Sequence, residues 1–250
     1  MEEKNQPLAS AQAPLTPRDW AAVVTALILP SIITWVYFYG AESATAGVQM
    51  AVFNVVKIIQ FVLPVAWVLG VQKGSLRLWP SNARGVATGL IFGVAVAAAA
   101  GALYAGLLRG SDLLAGATTE INDKLAGWNI DTRWKFALLG LGYSLVHSLL
   151  EEYYWRWFVF GQLRRSASLP MAIVASSLGF MAHHVLVLGK FFGFDNPATW
   201  LLSGCVAIGG AVWAWLYERS GSLLGPWLSH LLVDAAVFSI GFAIVSGRLS

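Results

Sequence analysis

Cysteine is almost absent from this chain: Cys205 stands alone, which excludes an intrachain disulfide and any cysteine-based metal cluster. Charge is scarce as well. Asp, Glu, Lys and Arg make up 12% of the residues, where an ordinary soluble domain carries about a quarter. The 16 Lys and Arg give a formal net charge of +3, but they are dispersed over short connections instead of forming the basic patch that nucleic acid needs. No nucleic-acid partner is expected. Apolar surface takes the place of charge: 57% of the residues are hydrophobic and the mean hydropathy is +0.65. A soluble fold of this length could not bury so much.

Seven apolar runs, at about 20–40, 48–71, 85–108, 136–162, 169–189, 198–217 and 222–246, each reach the roughly 20 residues that cross a bilayer. They predict an all-α fold, a polytopic transmembrane helix bundle of about seven spans with its active site between helices. Residues 17–250 form a single membrane domain in this reading, with the lipid bilayer as a partner. Residues 1–16 are polar and Pro/Ala-rich, with Glu2 and Glu3 where a secretory signal would be basic, and predict a disordered N-terminal tail. The Lys and Arg of the connections favour the side of the N-terminus, which places it in the cytoplasm and the chain in the cell (inner) membrane, with the C-terminus outside. The stretch from Gly110 to Trp134 departs from the apolar pattern. It reads as a surface connection with an amphipathic helix, on which Leu113, Leu114, Ile121, Leu125 and Trp128 could share one apolar side.

An ionisable side chain at the centre of a membrane helix costs about 2.5–3.5 kcal/mol on insertion scales and marks function by default. The runs contain Lys57, His147, Glu151, Glu152, Arg156, His183, His184, His230 and Asp234. Glu152 and Arg156, four residues apart, share a helix face and can neutralise one another. Glu151, about 100° further round, is left to face something else. His184 follows Phe180 by four residues, and Asp234 follows His230 by four. At about 1.5 Å per residue from the cytoplasmic ends, Glu151, His184, His230 and Asp234 reach similar depths, so three helices can converge on one level.

Such a set has two uses. Glu151 can act as general base on a water with histidine help, or Glu151, His184 and His230 can hold a divalent metal such as Zn²⁺ that acidifies the water. His230 and Asp234 would orient a scissile carbonyl or stabilise its oxyanion. His147 shares a face with Glu151 and reads as packing or support. His183, about 100° from His184, reads as structural, with replacement by Ala tolerated. Lys57 has no acid three or four residues away.

The three patterns (Glu151 and Glu152 with Arg156, Phe180 with His184, His230 with Asp234) resemble the EExxxR, FxxxH and HxxxN/D motifs of the CPBP intramembrane proteases. That family includes the CAAX prenyl endopeptidases and the bacteriocin-processing and self-immunity proteins. The resemblance covers about residues 136–240 and implies an endopeptidase acting on a hydrophobic or membrane-associated peptide. It implies that Glu151 and His184 activate the water, that His230 and Asp234 form the oxyanion region, and that Glu152 and Arg156 support Glu151. A committed metal does not follow from it. The prenyl endopeptidases carry Asn where this chain has Asp234, and an ionised Asp cannot donate to an oxyanion, so Asp234 must be protonated or must orient His230. Two other classes compete: a non-catalytic immunity or scaffold protein, and a transporter, which would call for inverted repeats and broken helices that are not visible. A site-2-type metalloprotease would carry HExxH, whereas His147 to Glu151 is H-x-x-x-E.

Overall fold

The computed structural model describes residues 13–40, 44–76 and 83–250, and among them every regular element is helical. Helix α1 (Pro17–Trp35) starts at a reciprocal cap: the Thr16 hydroxyl accepts from Asp19 N–H while the Asp19 carboxylate accepts from Thr16 N–H, with Pro17 in the first turn where no donor is needed. Of the tail expected over 1–16, residues 1–12 lie outside the described residues. Residues 13–16 are tied to the end of the central helix, since Arg165 Nε donates to Ala13 O and Leu15 N–H to Ser166 Oγ.

Helices α2 (Ala46–Val65) and α3 (Val86–Leu103) follow, and α1, α2 and α3 each end in a π-helical turn, Val36–Gly40, Ala66–Val71 and Tyr104–Leu108. Then come α4 (Asp112–Gly127), α5, α6 (Leu169–Phe192), α7 (Pro197–Ser220) and α8 (Leu224–Val245). Helix α5 begins as Arg133–Gly142 and continues without a break through π-helical Tyr143–His147, α-helical Ser148–Glu152, π-helical Tyr153–Phe160 and Gly161–Leu163.

Six of these helices, α1, α2, α3, α6, α7 and α8, are long and apolar enough to cross a membrane. The seventh run, 136–162, lies within α5, and its three charged residues, Glu151, Glu152 and Arg156, set it apart from the other six. Its position explains how it carries them. Nine of the ten residues from Glu151 to Phe160 are buried, all but Trp157, which is possible only for a helix surrounded by others. Tyr154 Oη donates to Ala26 O of α1 at 2.7 Å and Tyr153 Oη to Phe61 O of α2 at 3.1 Å, while Phe158, Val159 and Phe160 fill the core with Trp213 and Tyr217 of α7. The charged stretch of α5, from Glu151 to Arg156, is shielded from lipid by the apolar helices, as a charged intramembrane segment requires.

Helix α8 is seated by α3 through small residues. A Cβ on Gly89 would collide with Gly225 O, and one on Gly93 would lie 2.9 Å from Ser229 O, so the two backbones approach as closely as small-residue membrane interfaces allow. That contact holds the turn of α8 that carries His230. Helix α4 is the amphipathic helix expected between Gly110 and Trp134. Leu125 is buried against Phe136, Val245 and Leu249 with Ile121 beside it, and Trp128 Nε1 donates to Tyr37 Oη. Its apolar side is thus covered by protein.

Candidate active site

Glu151 lies in the short α-helical stretch of α5 between two π-helical ones, an irregularity that is rare and often found at functional sites. Its carboxylate is buried and faces three imidazoles from three helices. His147 Nδ1 of α5 is 3.9 Å from Oε2, His183 Nε2 of α6 is 3.5 Å from Oε1, and His230 Nε2 of α8 is 3.7 Å from Oε2. These separations exceed the roughly 3.2 Å of a direct N–H···O bond and lie in the range where one water links two groups.

Glu152, next in sequence, is fully buried on a different side. Its Oε1 accepts from His230 Nδ1–H at 2.8 Å, and its Oε2 is 3.1 Å from Arg156 Nε. The i,i+4 pairing expected from the sequence is present as an ion pair, although Glu152 Oε2 and Arg156 Nε are not aligned for a hydrogen bond. The guanidinium is also held over the rings of Phe180 at 4.7 Å and Trp213 at 5.1 Å. Buried cations of this kind gain from aromatic faces where a hydrogen-bond acceptor is lacking.

His230 is fixed on three sides. Besides the bond to Glu152, its ring stacks on Trp213 at 4.2 Å and 16°, and Trp213 is itself anchored by donating Nε1–H to Ser229 Oγ at 3.0 Å. A carboxylate can only accept, so Nδ1 carries the proton and Nε2 is the nitrogen turned toward Glu151 and toward Asp234, whose Oδ1 is 3.5 Å away. The same reasoning fixes His184. Its Nδ1 lies 2.9 Å from Phe180 O, which accepts the proton and leaves the Nε2 lone pair available. Phe180 thereby has three tasks: its carbonyl sets the His184 tautomer, its face takes Arg156, and its ring makes T-shaped contacts with His183, His184 and His230.

His183 differs from its expected role. Its ring lies parallel to Trp155 at 5.7 Å and 2°, and its Nε2 points at Glu151 while its buried Nδ1 has no hydrogen-bond partner. Trp155 reaches this position because Gly179 gives it room; a Cβ there would sit 2.9 Å from the indole. Adjacent residues on a helix differ by about 100°, but α5 lies between the two directions and both side chains reach it, with ring centroids 4.2 Å apart. The metal-competent group changes accordingly. Among the described residues, Glu151, His183 and His184 offer ligand atoms within 4.8 Å of one another, whereas the sequence pattern places His230 in that trio. His230 is instead engaged by Glu152 through Nδ1 and turned between two carboxylates through Nε2. The trio fits a divalent cation: His184 Nε2 is unprotonated, the Glu151 carboxylate is present, and His183 turns its Nε2 toward that carboxylate.

Sequence spacing does not point to His183, Trp213 or Ser229, because their contacts run between helices. The tandem histidines beside Phe180 are the available signal for His183.

Residues 133–236 match the family model described as Type II CAAX prenyl endopeptidase Rce1-like. The matched segment contains Glu151, Glu152, Arg156, His183, His184, His230 and Asp234, so this similarity falls on the same residues as the three motifs. No curated protein and no solved structure matches the chain.

Proposed function

We propose, with the protease-family match of residues 133–236 as premise, that this integral membrane protein is an endopeptidase that hydrolyses a peptide bond of a hydrophobic or membrane-associated substrate by attack of a Glu151-activated water. The observation that carries this reading is the buried Glu151 carboxylate facing imidazoles of three helices at 3.5 to 3.9 Å. One water there can be hydrogen-bonded to the base and to an imidazole at once.

Glu151 takes a proton from the water, with His184 Nε2 accepting the water's second hydrogen bond, and the oxygen adds to the scissile carbonyl. The carbonyl oxygen becomes an oxyanion, which His230 stabilises as the imidazolium, with a second proton on Nε2 beside Asp234; its Nδ1–H···Glu152 bond keeps the ring from turning. Asp234, beside the same nitrogen, orients it. The tetrahedral intermediate then collapses, the C–N bond breaks, and Glu151 returns its proton to the leaving amine. Glu152 and Arg156 hold the constellation without touching the substrate. A divalent metal such as Zn²⁺, if bound, would be held by Glu151, His183 and His184 and would supply Lewis acidity to the water.

The dispersed loop cations support a cell-membrane location with a cytoplasmic N-terminus. The test compares native membranes that contain wild type with membranes that contain E151A, by proteomic mapping of peptide termini. New termini present only with wild type support the protease and identify its substrate. Identical termini, with both proteins folded and expressed, would favour a non-catalytic scaffold or immunity protein.

A further inference from the structure

Between α2 and α5 lies a cavity of about 970 Å³ that the steps above do not use, near the top of the roughly 300–1,000 Å³ range of ligand pockets. Its walls are apolar, and its outer rim is formed by Ile58, Val62, Leu138 and Val146, which are exposed on helices that lie in the membrane. The groove therefore opens sideways toward lipid. At its inner end are Tyr143 and His147, whose rings are 4.9 Å apart, and His147 Nδ1 is 3.9 Å from Glu151. An apolar path thus leads from the lipid to the candidate base.

Lys57 projects into this path. It lies eleven residues beyond the first residue of α2, about 16 Å along the helix and near the middle of a hydrocarbon layer about 30 Å thick, too deep for the ammonium to reach an interface. Its Nζ sits 5.6 Å from the ring centroids of both Phe53 and Phe61, one turn to either side. Among the described residues it has no carboxylate within ion-pair distance. The rings stabilise the cation, and Glu151 attracts it only from beyond ion-pair distance; a charge at this depth is kept where a partner or a function requires it. Glu151 and Glu152 are already faced by the histidines and by Arg156.

We propose that this groove is the substrate channel and that Lys57 pairs with a carboxylate of the hydrophobic peptide that enters it. The inference rests on Glu151 being the proteolytic base. Charge complementarity selects an anion, and depth selects a peptide: lipid phosphates are anchored at the interface, about half the hydrocarbon thickness away from Lys57, whereas a peptide seated for cleavage at Glu151 brings a C-terminal or side-chain carboxylate to this level. Lys57 then sets the register of the scissile bond relative to that carboxylate.

The test uses the full-length protein in phosphatidylcholine vesicles and one photoreactive hydrophobic peptide in three forms: a free C-terminal acid, the C-terminal amide, and the amide ending in Asp. Labelling of the α2 segment is read by mass spectrometry. At least one acidic form is expected to label wild type roughly tenfold more than the neutral amide, as a desolvated charge pair gives; which form does so identifies the source of the carboxylate. K57M should abolish the preference and K57R should keep it. Equal labelling of wild type by all three forms overturns the proposal without recourse to any variant, as does a preference that survives in K57M. Loss of the preference when phosphatidylglycerol is added would assign the groove to lipid and also overturns it. Cleavage of the same peptides is followed separately: cleavage with no acid preference sinks the Lys57 subsite and leaves the protease standing, whereas acid preference without cleavage of any form leaves the subsite and counts against the protease.

Discussion

His230 donates its Nδ1–H to Glu152 at 2.8 Å, and the other oxygen of that carboxylate faces Arg156 at 3.1 Å. The second glutamate of the pair, not the candidate base, is thus the joint between α5 and α8. E152A would leave the Arg156 guanidinium buried and unpaired, at a cost of about 3–5 kcal/mol, and would release His230. Thermal unfolding in detergent should show a large loss of stability, with activity falling alongside. The double variant E152Q/R156M should recover part of that stability, because replacing both partners of a buried pair costs far less than removing one. It should not recover activity.

His183 gives a second prediction, and here the structure changes the expectation drawn from the sequence. With Nε2 at 3.5 Å from Glu151, H183A should lower turnover roughly 10- to 100-fold, the usual loss when a group that orients a site is removed, while the fold persists because Trp155 retains its place beside Gly179. H184A should cost more. Turnover at or near the wild-type level in H183A, measured on the same substrate, would return that residue to a purely structural role.

Metal binding can be measured apart from catalysis. Zn²⁺ added to chelator-treated wild type should bind at a single site, and H183A should weaken that binding by at least about 10-fold. H230A should weaken it much less. Isothermal titration on all three proteins separates the trio of Glu151, His183 and His184 from one that includes His230.

The α3–α8 contact predicts a packing effect at a distance. G93V would push a side chain into Ser229 O and Leu232, cost roughly 1–3 kcal/mol by overpacking, and shift the turn that carries His230, so activity should fall further than stability alone explains. Gly101, on the same helix, is the control: a Cβ added there would meet nothing within 4 Å, so G101A should be neutral or slightly stabilising.

The helical bundle was legible because long apolar runs have few alternatives in a bilayer, and Glu152–Arg156 was legible because i,i+4 geometry is local. The identity of α5 as the central helix was not: its charged residues set its run apart, but its burial depends on how the other helices surround it. Its two π-helical stretches have no plain sequence signature. Phe180 was legible as part of a motif, but its carbonyl contact with His184 and its face under Arg156 became visible only with the helices in place. Trp213, which stacks on His230 from α7, lies 17 residues before it and belongs to no local pattern. Helical angle alone separates the tandem histidines, but it ignores the reach of two imidazoles toward a carboxylate placed between them.

The central claim is that Glu151 is the base, and E151Q tests it most directly, since the amide keeps the shape of the side chain but cannot take a proton from water. With a substrate found by terminus mapping, single-turnover cleavage by purified E151Q in vesicles should fall by about 10²–10⁴-fold, while thermal stability and peptide labelling remain close to wild type. Full turnover by a folded E151Q would contradict the account.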